Sequence, residues 1–222
     1  MGTLVLVRHG QASFGSDDYD RLSELGTRQC RRLGEHFAQR GRRFAAVMRG
    51  SLRRHQQSLD AVLQGLGEAR DDVQVFPGLN EYDSAAVVRT IQPGPLGPAL
   101  TPEAYREHFR LLRRGLAAWM DGQAQPDGMP SYAAFVAGIT EVLDRVRALD
   151  GDVLLVSSGG PIATAVGQVL GMPAVGTIEL NMRIRNSAIT EFAFNPKRHA
   201  LHSFNHLPHL DGPEYADWIT YT

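Results

Sequence analysis

Near its start the chain runs Leu4-Val5-Leu6-Val7-Arg8-His9-Gly10, and this stretch indicates both an architecture and a chemistry. Four consecutive apolar residues predict a short strand that is buried on both faces, as in the parallel sheets of α/β proteins. Arg8 and His9 follow where that strand reaches its loop, and open α/β sheets bind ligands at the carboxyl ends of their strands. A guanidinium beside an imidazole predicts a phosphate site there, with the histidine as a nucleophile.

Strand and helix patterns alternate along the rest of the chain. Helices are predicted over 27–39, 52–66, 102–120, 131–149 and 161–171, and strands over 44–48, 73–76, 152–156, 188–194 and 200–204. Ser131 is expected to cap its helix, and Pro161 is expected to be the first residue of the last helix. The alternation predicts a single α/β domain over residues 1–222 with a mostly parallel central sheet.

The composition excludes several classes of function. The 23 basic side chains face 24 acidic ones, so no overall field would recruit nucleic acid or an anionic membrane. Cys30 is the sole cysteine, which rules out an internal disulfide and fits a reducing compartment. The sequence has no leader pattern at its start and no apolar run of membrane-spanning length, so we expect a cytoplasmic protein.

Four segments that follow predicted strands carry residues suited to phosphate chemistry. They are Arg8 with His9, Arg54 at a helix start, Glu81 in a loop, and the turn Ser157-Ser158-Gly159-Gly160. Because the carboxyl ends of parallel strands meet at one edge of a sheet, we expect these segments to form one site. The glycines of the turn allow close approach of the backbone, and the amides of the following helix form an anion-binding terminus.

Two of these positions have a neighbour of the same type. Arg53 and Arg54 would point about 100 degrees apart on a helix, so only one of them can face the site. Glu81 and Asp83 are both loop carboxylates that could donate a proton if burial raised their pKa. The residues themselves leave the choice between the two acids open.

Over nearly its whole length the chain resembles the histidine phosphatase superfamily, also called the phosphoglycerate mutase-like family. Residues 5–10 are similar to its defining motif, and Leu22-Ser23-Glu24-Leu25-Gly26 is similar to its Leu-Thr/Ser-x-x-Gly segment. Leu52-Arg53-Arg54-His55-Gln56-Gln57-Ser58 resembles its Leu-x-Arg-Ala-x-Gln-Thr helix. The resemblance implies a three-layer α/β/α sandwich, and we expect residues 84–130 to form an inserted helical cap.

The resemblance also implies roles for individual residues. His9 would be the nucleophile that becomes phosphohistidine, and Arg8 and Arg54 would hold the phosphoryl oxygens. Glu81 would protonate the leaving oxygen, which favours it over Asp83.

The activity implied is that of a phosphatase acting on a phosphorylated small molecule or a phosphoprotein, with no cofactor and no metal. A homodimer would be in keeping with the resemblance. A phosphoglycerate mutase is less favoured, because the Trp-Asn segment that usually follows the first motif is absent from residues 11–16.

One position departs from the family pattern. The family's second histidine stands in a Ser-His-Gly-Gly-like turn, where this chain has Ser158. A neutral hydroxyl in place of an imidazole is expected to cost on the order of 1 kcal/mol, or roughly tenfold in rate. Ser158 and Gly159 are still expected to bind phosphate. The alternative is therefore a weak or inactive family member that binds phosphorylated ligands or partner proteins.

The remaining histidines offer little support for a metal site. His202, His206 and His209 are spaced like a metal cluster, but no acidic or cysteine partner accompanies them, so a structural or surface role is expected. His206 is the best candidate should one of them substitute for the missing imidazole. His55 and His108 are expected to lie on the surface.

Overall fold

The computed structural model describes residues 1–13, 20–94 and 101–221. Its strands are β1 (Gly2–Arg8), β2 (Ala46–Arg49), β3 (Gln74–Val75), β4 (Val153–Ser157), β5 (Ile189–Asn195) and β6 (Arg198–His206). They form one six-stranded sheet in the order β3-β2-β4-β1-β5-β6. The strands β1 to β4 run parallel, and β5 and β6 are antiparallel additions at one edge. The prediction of a mostly parallel sheet is confirmed.

The α-helices are α1 (Glu24–Gln39), α2 (Arg53–Leu66), α3 (Ser84–Arg89), α4 (Pro102–Met120), α5 (Tyr132–Arg147), α6 (Gly159–Leu170) and α7 (Ala174–Asn181). Short 3-10 helices cover Pro77–Leu79, Pro208–Leu210 and Pro213–Trp218. Ser131 caps α5 as predicted, since its hydroxyl accepts from the N–H of Ala134 at 3.2 Å. The prediction for Pro161 was wrong, because α6 begins two residues earlier and Pro161 is its third residue.

Alternate residues of the central strands face opposite layers. On β1, Val5 and Val7 pack with apolar side chains of α1 and α2, whereas Leu4 and Leu6 pack with those of α5 and α6. Both faces of the sheet are therefore covered, which explains why the first strand is continuously apolar. The expected three-layer α/β/α sandwich is confirmed.

The register of the parallel strands aligns the segments that leave the sheet. The strands β1 and β4 pair Arg8 with Ser157. Beyond that pair, the N–H of His9 donates to the carbonyl of Ser157 at 2.9 Å, and the N–H of Gly50 donates to that of Val156 at 3.1 Å. The segments after β1, β2 and β4 therefore emerge side by side at the carboxyl edge.

The helices between β3 and β4 contribute to the hydrophobic core on one face of the sheet. Val87 of α3 and Leu112 and Leu116 of α4 belong to the same buried cluster as Ile139 of α5. Residues 95–100 lie outside the described residues, so an inserted cap over 84–130 stays a prediction. None of the helices in the described part of the chain combines the length and apolar composition that a transmembrane span requires.

Candidate active site

His9 is the first residue after β1 and is 2% exposed. Its Nδ1 lies 2.7 Å from the carbonyl oxygen of Gly10. Because a carbonyl oxygen can only accept, this contact places the ring proton on Nδ1 and leaves a lone pair on Nε2. Burial lowers the pKa of His9 well below its ordinary 6.5, and the charges of Arg8 and Arg54 lower it further. The neutral imidazole is the nucleophilic form, so the surroundings favour attack through Nε2.

The backbone around His9 is held by side chains and backbone groups from distant parts of the chain. The hydroxyl of Ser58 accepts from the N–H of Gly10 at 3.0 Å. On the other side, the carbonyl of His9 accepts from the N–H of Ser187 at 3.2 Å and from Nδ2 of Asn186 at 3.3 Å. His9 therefore sits on backbone whose polar groups are satisfied, which restrains the position of its ring.

Two arginines approach this position with most of their surface buried. Arg8 is 9% exposed, and its Nη1 donates to the carbonyls of Ile184 and of Tyr221, the latter at 2.8 Å. Arg54 is 7% exposed, and its Nη1 donates to Oδ1 of Asp20 at 2.8 Å. These contacts restrain both guanidinium groups, and planar guanidinium groups match the geometry of phosphate oxygens.

Asp20 also caps the N-terminus of α2. Its Oδ2 accepts from the N–H of Arg53 at 2.9 Å, while the N-cap residue Leu52 has no polar side-chain atom with which to do so. One carboxylate thus caps the helix and orients Arg54, while the side chain of Arg53 is exposed. Nothing in the sequence around Asp20 indicates either contact.

Glu81 lies opposite the start of α6. The N–H of Gly160 donates to both of its oxygens, at 3.1 and 3.2 Å, and the N–H of Tyr82 donates to Oε1 at 3.3 Å. Burial raises the pKa of Glu81 above its ordinary 4.5, although the Gly160 N–H and the charges of Arg54 and Arg8 act in the opposite direction. A raised pKa suits a carboxyl group that has to donate a proton.

Gly160 has to be a glycine for this contact to exist. A Cβ at that position would lie 2.2 Å from Oε1 of Glu81 and 2.6 Å from the ring of Tyr82. At the preceding residue, a Cβ on Gly159 would lie 3.7 Å from Oε2 of Glu81 and 3.8 Å from Nε of Arg8. The glycine turn therefore lets the acid and the arginine converge on the start of α6.

Asp83, the other carboxylate considered, is turned toward a different element. Its Oδ1 accepts from the N–H of Ala86 at 3.0 Å and so caps α3, and its Oδ2 is 4.0 Å from Nη2 of Arg89. The sequence pattern did not predict α3, a helix of six residues, so it could not show that Asp83 is its cap. The structure brings Glu81 to the start of α6 and leaves Asp83 exposed.

Ser158 is fully buried at the N-cap position of α6, and it is in contact with a histidine. Nε2 of His55 lies 2.7 Å from the hydroxyl oxygen of Ser158. The expectation that His55 is a surface residue was wrong, since it is 0% exposed. The burial of His55 was not predicted because the residues from Arg53 to Gln57 form a polar run, which is typical of an exposed helix face. A signal was available, because His55 stands three and four residues before the buried Ser58 and Leu59.

The C-terminal histidines are distributed differently. His209 is 1% exposed, with Nε2 2.9 Å from the hydroxyl of Ser187, while His202 and His206 are exposed. Within the described ranges no group of three or more His, Cys, Asp or Glu residues is arranged to hold a metal ion. In the described part of the chain the imidazole that contacts Ser158 comes from His55, not from His206.

A further pair of residues lies beside the glycine turn and was not predicted from the sequence. Nδ2 of Asn181, at the end of α7, donates to the hydroxyl of Tyr82 at 2.7 Å. A Cβ on Gly159 would lie 2.9 Å from Oδ1 of Asn181. This amide is therefore adjacent to the segment where Arg8 and Glu81 converge.

A buried neutral histidine at the carboxyl edge of a parallel sheet, with two arginines, a carboxyl group and a helix start around it, defines a site for phosphoryl chemistry. The sequence model of the histidine phosphatase superfamily (branch 1) matches residues 4–207. The chain belongs to this superfamily.

Individual proteins resemble the chain in part of its sequence or in its fold. Over 89 residues the chain is 35% identical to a 2,3-bisphosphoglycerate-dependent phosphoglycerate mutase of Sinorhizobium fredii (strain NBRC 101917 / NGR234), a match that covers 37% of this chain and 42% of the mutase. The fold is shared with a phosphoserine phosphatase from Entamoeba histolytica, with a TM-score of 0.65, 21% identity, and coverage of 95% of this chain and 100% of that one. A mycobacterial glucosyl-3-phosphoglycerate phosphatase, solved with inorganic phosphate, has a TM-score of 0.65, 24% identity, and coverage of 94% and 99%.

Proposed function

We propose that the protein is a phosphatase that hydrolyses a phosphomonoester through a phosphohistidine on His9 and requires no metal ion. The observation that carries the proposal is the state of His9. It is buried, its proton is placed on Nδ1 by Gly10, and burial together with nearby arginines keeps its pKa low. An imidazole held neutral in this way is ready to attack phosphorus.

The first half of the proposed reaction transfers the phosphoryl group to the protein. Nε2 of His9 forms a bond to phosphorus while the bond from phosphorus to the ester oxygen breaks. The carboxyl group of Glu81 gives its proton to that oxygen, so the substrate leaves as an alcohol. The protein is left with a phosphohistidine and a Glu81 carboxylate.

The second half regenerates the protein. The Glu81 carboxylate takes a proton from water as the water oxygen attacks phosphorus, and the bond from phosphorus to Nε2 breaks. Inorganic phosphate leaves, His9 is again neutral, and Glu81 is again protonated. The arrangement supplies positive charge through Arg8 and Arg54, and the amides at the start of α6 supply further donors.

The substrate we propose is a phosphorylated small molecule. Two observations support that choice: residues 4–207 match a superfamily of histidine phosphatases, and proteins of the same fold include phosphatases of phosphoserine and of glucosyl-3-phosphoglycerate. A small acid or sugar phosphate is therefore the first class to test.

The test is hydrolysis of p-nitrophenyl phosphate by the wild type and by His9→Ala, with EDTA in parallel reactions. We expect turnover that persists in EDTA, falls at least roughly 1,000-fold in His9→Ala, and is accompanied by an acid-labile ³²P label on the wild type. Turnover that is unchanged in His9→Ala would exclude the proposed nucleophile. Turnover that stops in EDTA and returns with a divalent ion would exclude the metal-independent route.

A binding module is the second candidate, and Ser158 is the observation that favours it. The phosphate pocket would then be retained without turnover. Its signature is tight binding of orthovanadate combined with no His9-dependent hydrolysis across a panel of phosphate esters. Reversal of the binding by Arg54→Ala would show that the same pocket is responsible.

A further inference from the structure

A second imidazole lies beside His9 even though position 158 is not a histidine. Nε2 of His55 is 2.7 Å from the hydroxyl oxygen of Ser158. The ring centroids of His55 and His9 are 5.9 Å apart, and the ring planes are tilted by 34°. Both His55 and Ser158 are 0% exposed. The hydrogen bond therefore joins α2 to the start of α6 directly beside the proposed nucleophile.

The backbone opposite His55 leaves space for its ring. A Cβ on Gly50 would lie 2.2 Å from Nδ1 of His55 and 2.8 Å from Oδ1 of Asn80. That Asn80 oxygen is fixed by the N–H of Ser51, which donates to it at 2.8 Å. Any residue larger than glycine at position 50 would push the ring away from Ser158.

The unpaired nitrogen of His55 determines which way the hydrogen bond runs. Its Nδ1 is buried and has no hydrogen-bond partner among residues 1–13, 20–94 and 101–221. A buried N–H without an acceptor is costlier than a bare lone pair, so the proton of the neutral ring belongs on Nε2. Nε2 then donates to the oxygen of Ser158, and the hydroxyl proton of Ser158 is left to point at another acceptor.

The positions of the two residues in the sequence motifs fit this arrangement. In the helix segment that resembles the family, residue 55 stands where the motif has alanine. In the glycine turn, Ser158 stands where the motif has histidine. This chain therefore has its imidazole on α2 and the smaller side chain at the start of α6, the reverse of the motif.

We propose that His55 and Ser158 together form a donor relay for phosphate, with Nε2–H of His55 donating to Ser158 and the Ser158 hydroxyl donating to a phosphoryl oxygen. The inference rests on the proposed function, because it takes the phosphoryl group to lie on His9. Ser158 contacts the phosphate, and His55 is a positioning residue that acts through it. A hydroxyl that already accepts a hydrogen bond is polarised and is a stronger donor than a serine alone.

The experiment uses two substitutions of similar size at one position. His55→Gln keeps an N–H that can reach Ser158, whereas His55→Leu removes the donor and keeps most of the volume. We expect His55→Leu to lower kcat for p-nitrophenyl phosphate about tenfold and to weaken orthovanadate binding by a similar factor. His55→Gln should stay within about threefold of the wild type in both readouts. Equal effects of the two substitutions would overturn the relay.

A double variant tests whether an imidazole at position 158 can replace the imidazole of His55. His55→Ala alone should lose activity and vanadate affinity, and His55→Ala combined with Ser158→His should regain most of both. Because a histidine at position 158 could donate to phosphate whatever His55 does, the recovery supports the relay only if Ser158→His alone gives no comparable gain over the wild type, and an equal gain in both backgrounds would overturn it. His209→Leu is the control, since it removes an equally buried histidine from a serine partner, and it should keep kcat within about threefold while lowering the melting temperature.

The vanadate readout separates this inference from the proposed function. If the wild type neither hydrolyses phosphate esters nor labels His9, the proposed function fails, and vanadate affinities of the His55 variants still decide the relay. If the wild type is an active phosphatase and a folded His55→Leu variant matches it in both kcat and vanadate affinity, the relay is wrong and the phosphatase stands.

Discussion

Two buried histidines each contact a serine hydroxyl, and the two pairs differ in almost nothing but their surroundings. Nε2 of His55 is 2.7 Å from Ser158, and Nε2 of His209 is 2.9 Å from Ser187. Within the described ranges Nδ1 of both rings has no hydrogen-bond partner. Burial lowers the pKa of each histidine to about 3. The hydrogen-bond distance and the pKa of the histidine therefore do not distinguish a pair in the proposed active site from a pair that only stabilises the fold.

The residues around each serine distinguish the two His–Ser pairs. Ser158 precedes α6, where Glu81 and Arg8 converge on the glycine turn. Ser187 belongs to a turn with a positive φ of 55°, and its backbone N–H, not its hydroxyl, donates to the carbonyl of His9. In the proposed reaction Ser158 faces the phosphoryl group, whereas the His209–Ser187 pair stabilises backbone next to His9. We therefore expect only the His55–Ser158 pair to affect phosphate binding.

The largest expected effect concerns the acid beside the His55–Ser158 pair. Glu81→Gln removes the proposed proton donor and keeps the size of the side chain, so kcat for an ester with a poor leaving group should fall about 10²- to 10⁴-fold. The effect should shrink for p-nitrophenyl phosphate, whose leaving group needs little protonation. Asp83→Asn is the matched control, and because asparagine also caps helices it should leave kcat nearly unchanged. A larger loss of kcat in Asp83→Asn than in Glu81→Gln would indicate that Asp83 donates the proton.

The pH dependence of kcat/KM tests the protonation states proposed for His9 and Glu81. His9 must be neutral and Glu81 protonated in the proposed free enzyme. Because the pKa of His9 is lowered from 6.5, activity should persist well below that pH before it falls about tenfold per unit. Because the pKa of Glu81 is raised from 4.5, the alkaline limb should lie above that value, and it should vanish in Glu81→Gln. An alkaline limb that survives in Glu81→Gln would assign it to another group.

The two His–Ser pairs should affect the free energy of unfolding at low pH in the same way. An unfolded histidine takes up a proton near pH 6.5, and the folded His55 and His209 do so only near pH 3. The unfolded state binds more protons in this window, so the folded protein loses stability as the pH falls through it. Urea unfolding at pH 7 and pH 5 should show that His55→Gln and His209→Gln each reduce this loss by about 2 kcal/mol in total, because the slope of about 1.4 kcal/mol per pH unit develops only below pH 6.5. A reduction in only one variant would show that the pairs do not titrate alike.

Much of the fold was predictable, because its elements carry strong periodic signals. The continuous apolar run of β1 reflects burial by helices on both faces, and the apolar stripes of α1 and α5 mark their inner sides. The helices α3 and α7 were missed, since they have six and eight residues and too few turns to show a stripe. Pro161 misled because its preference for the first turn does not specify a position within that turn.

The site was predictable as a set of segments and not as a set of contacts. The residues after the strands, such as His9 and Ser158, could be placed at one edge from the parallel order alone. The cap that Asp20 provides for α2 joins residues more than 30 positions apart, and no local pattern encodes it. His55 was hidden because a polar run predicts a solvated face, whereas packing against β4 buries part of that face.

The last prediction concerns removal of the two serine hydroxyls. Ser158→Ala and Ser187→Ala should each lower the free energy of unfolding by about 1–3 kcal/mol, because each leaves a buried histidine N–H without its acceptor. Only Ser158→Ala should also weaken orthovanadate binding and lower kcat, by about tenfold, because its hydroxyl alone is proposed to reach the phosphoryl group. Chemical unfolding, vanadate titration and turnover of p-nitrophenyl phosphate on the same two proteins measure all three quantities. Equal losses of vanadate affinity would mean that both serines act by supporting His9, and the distinction between the two pairs would disappear.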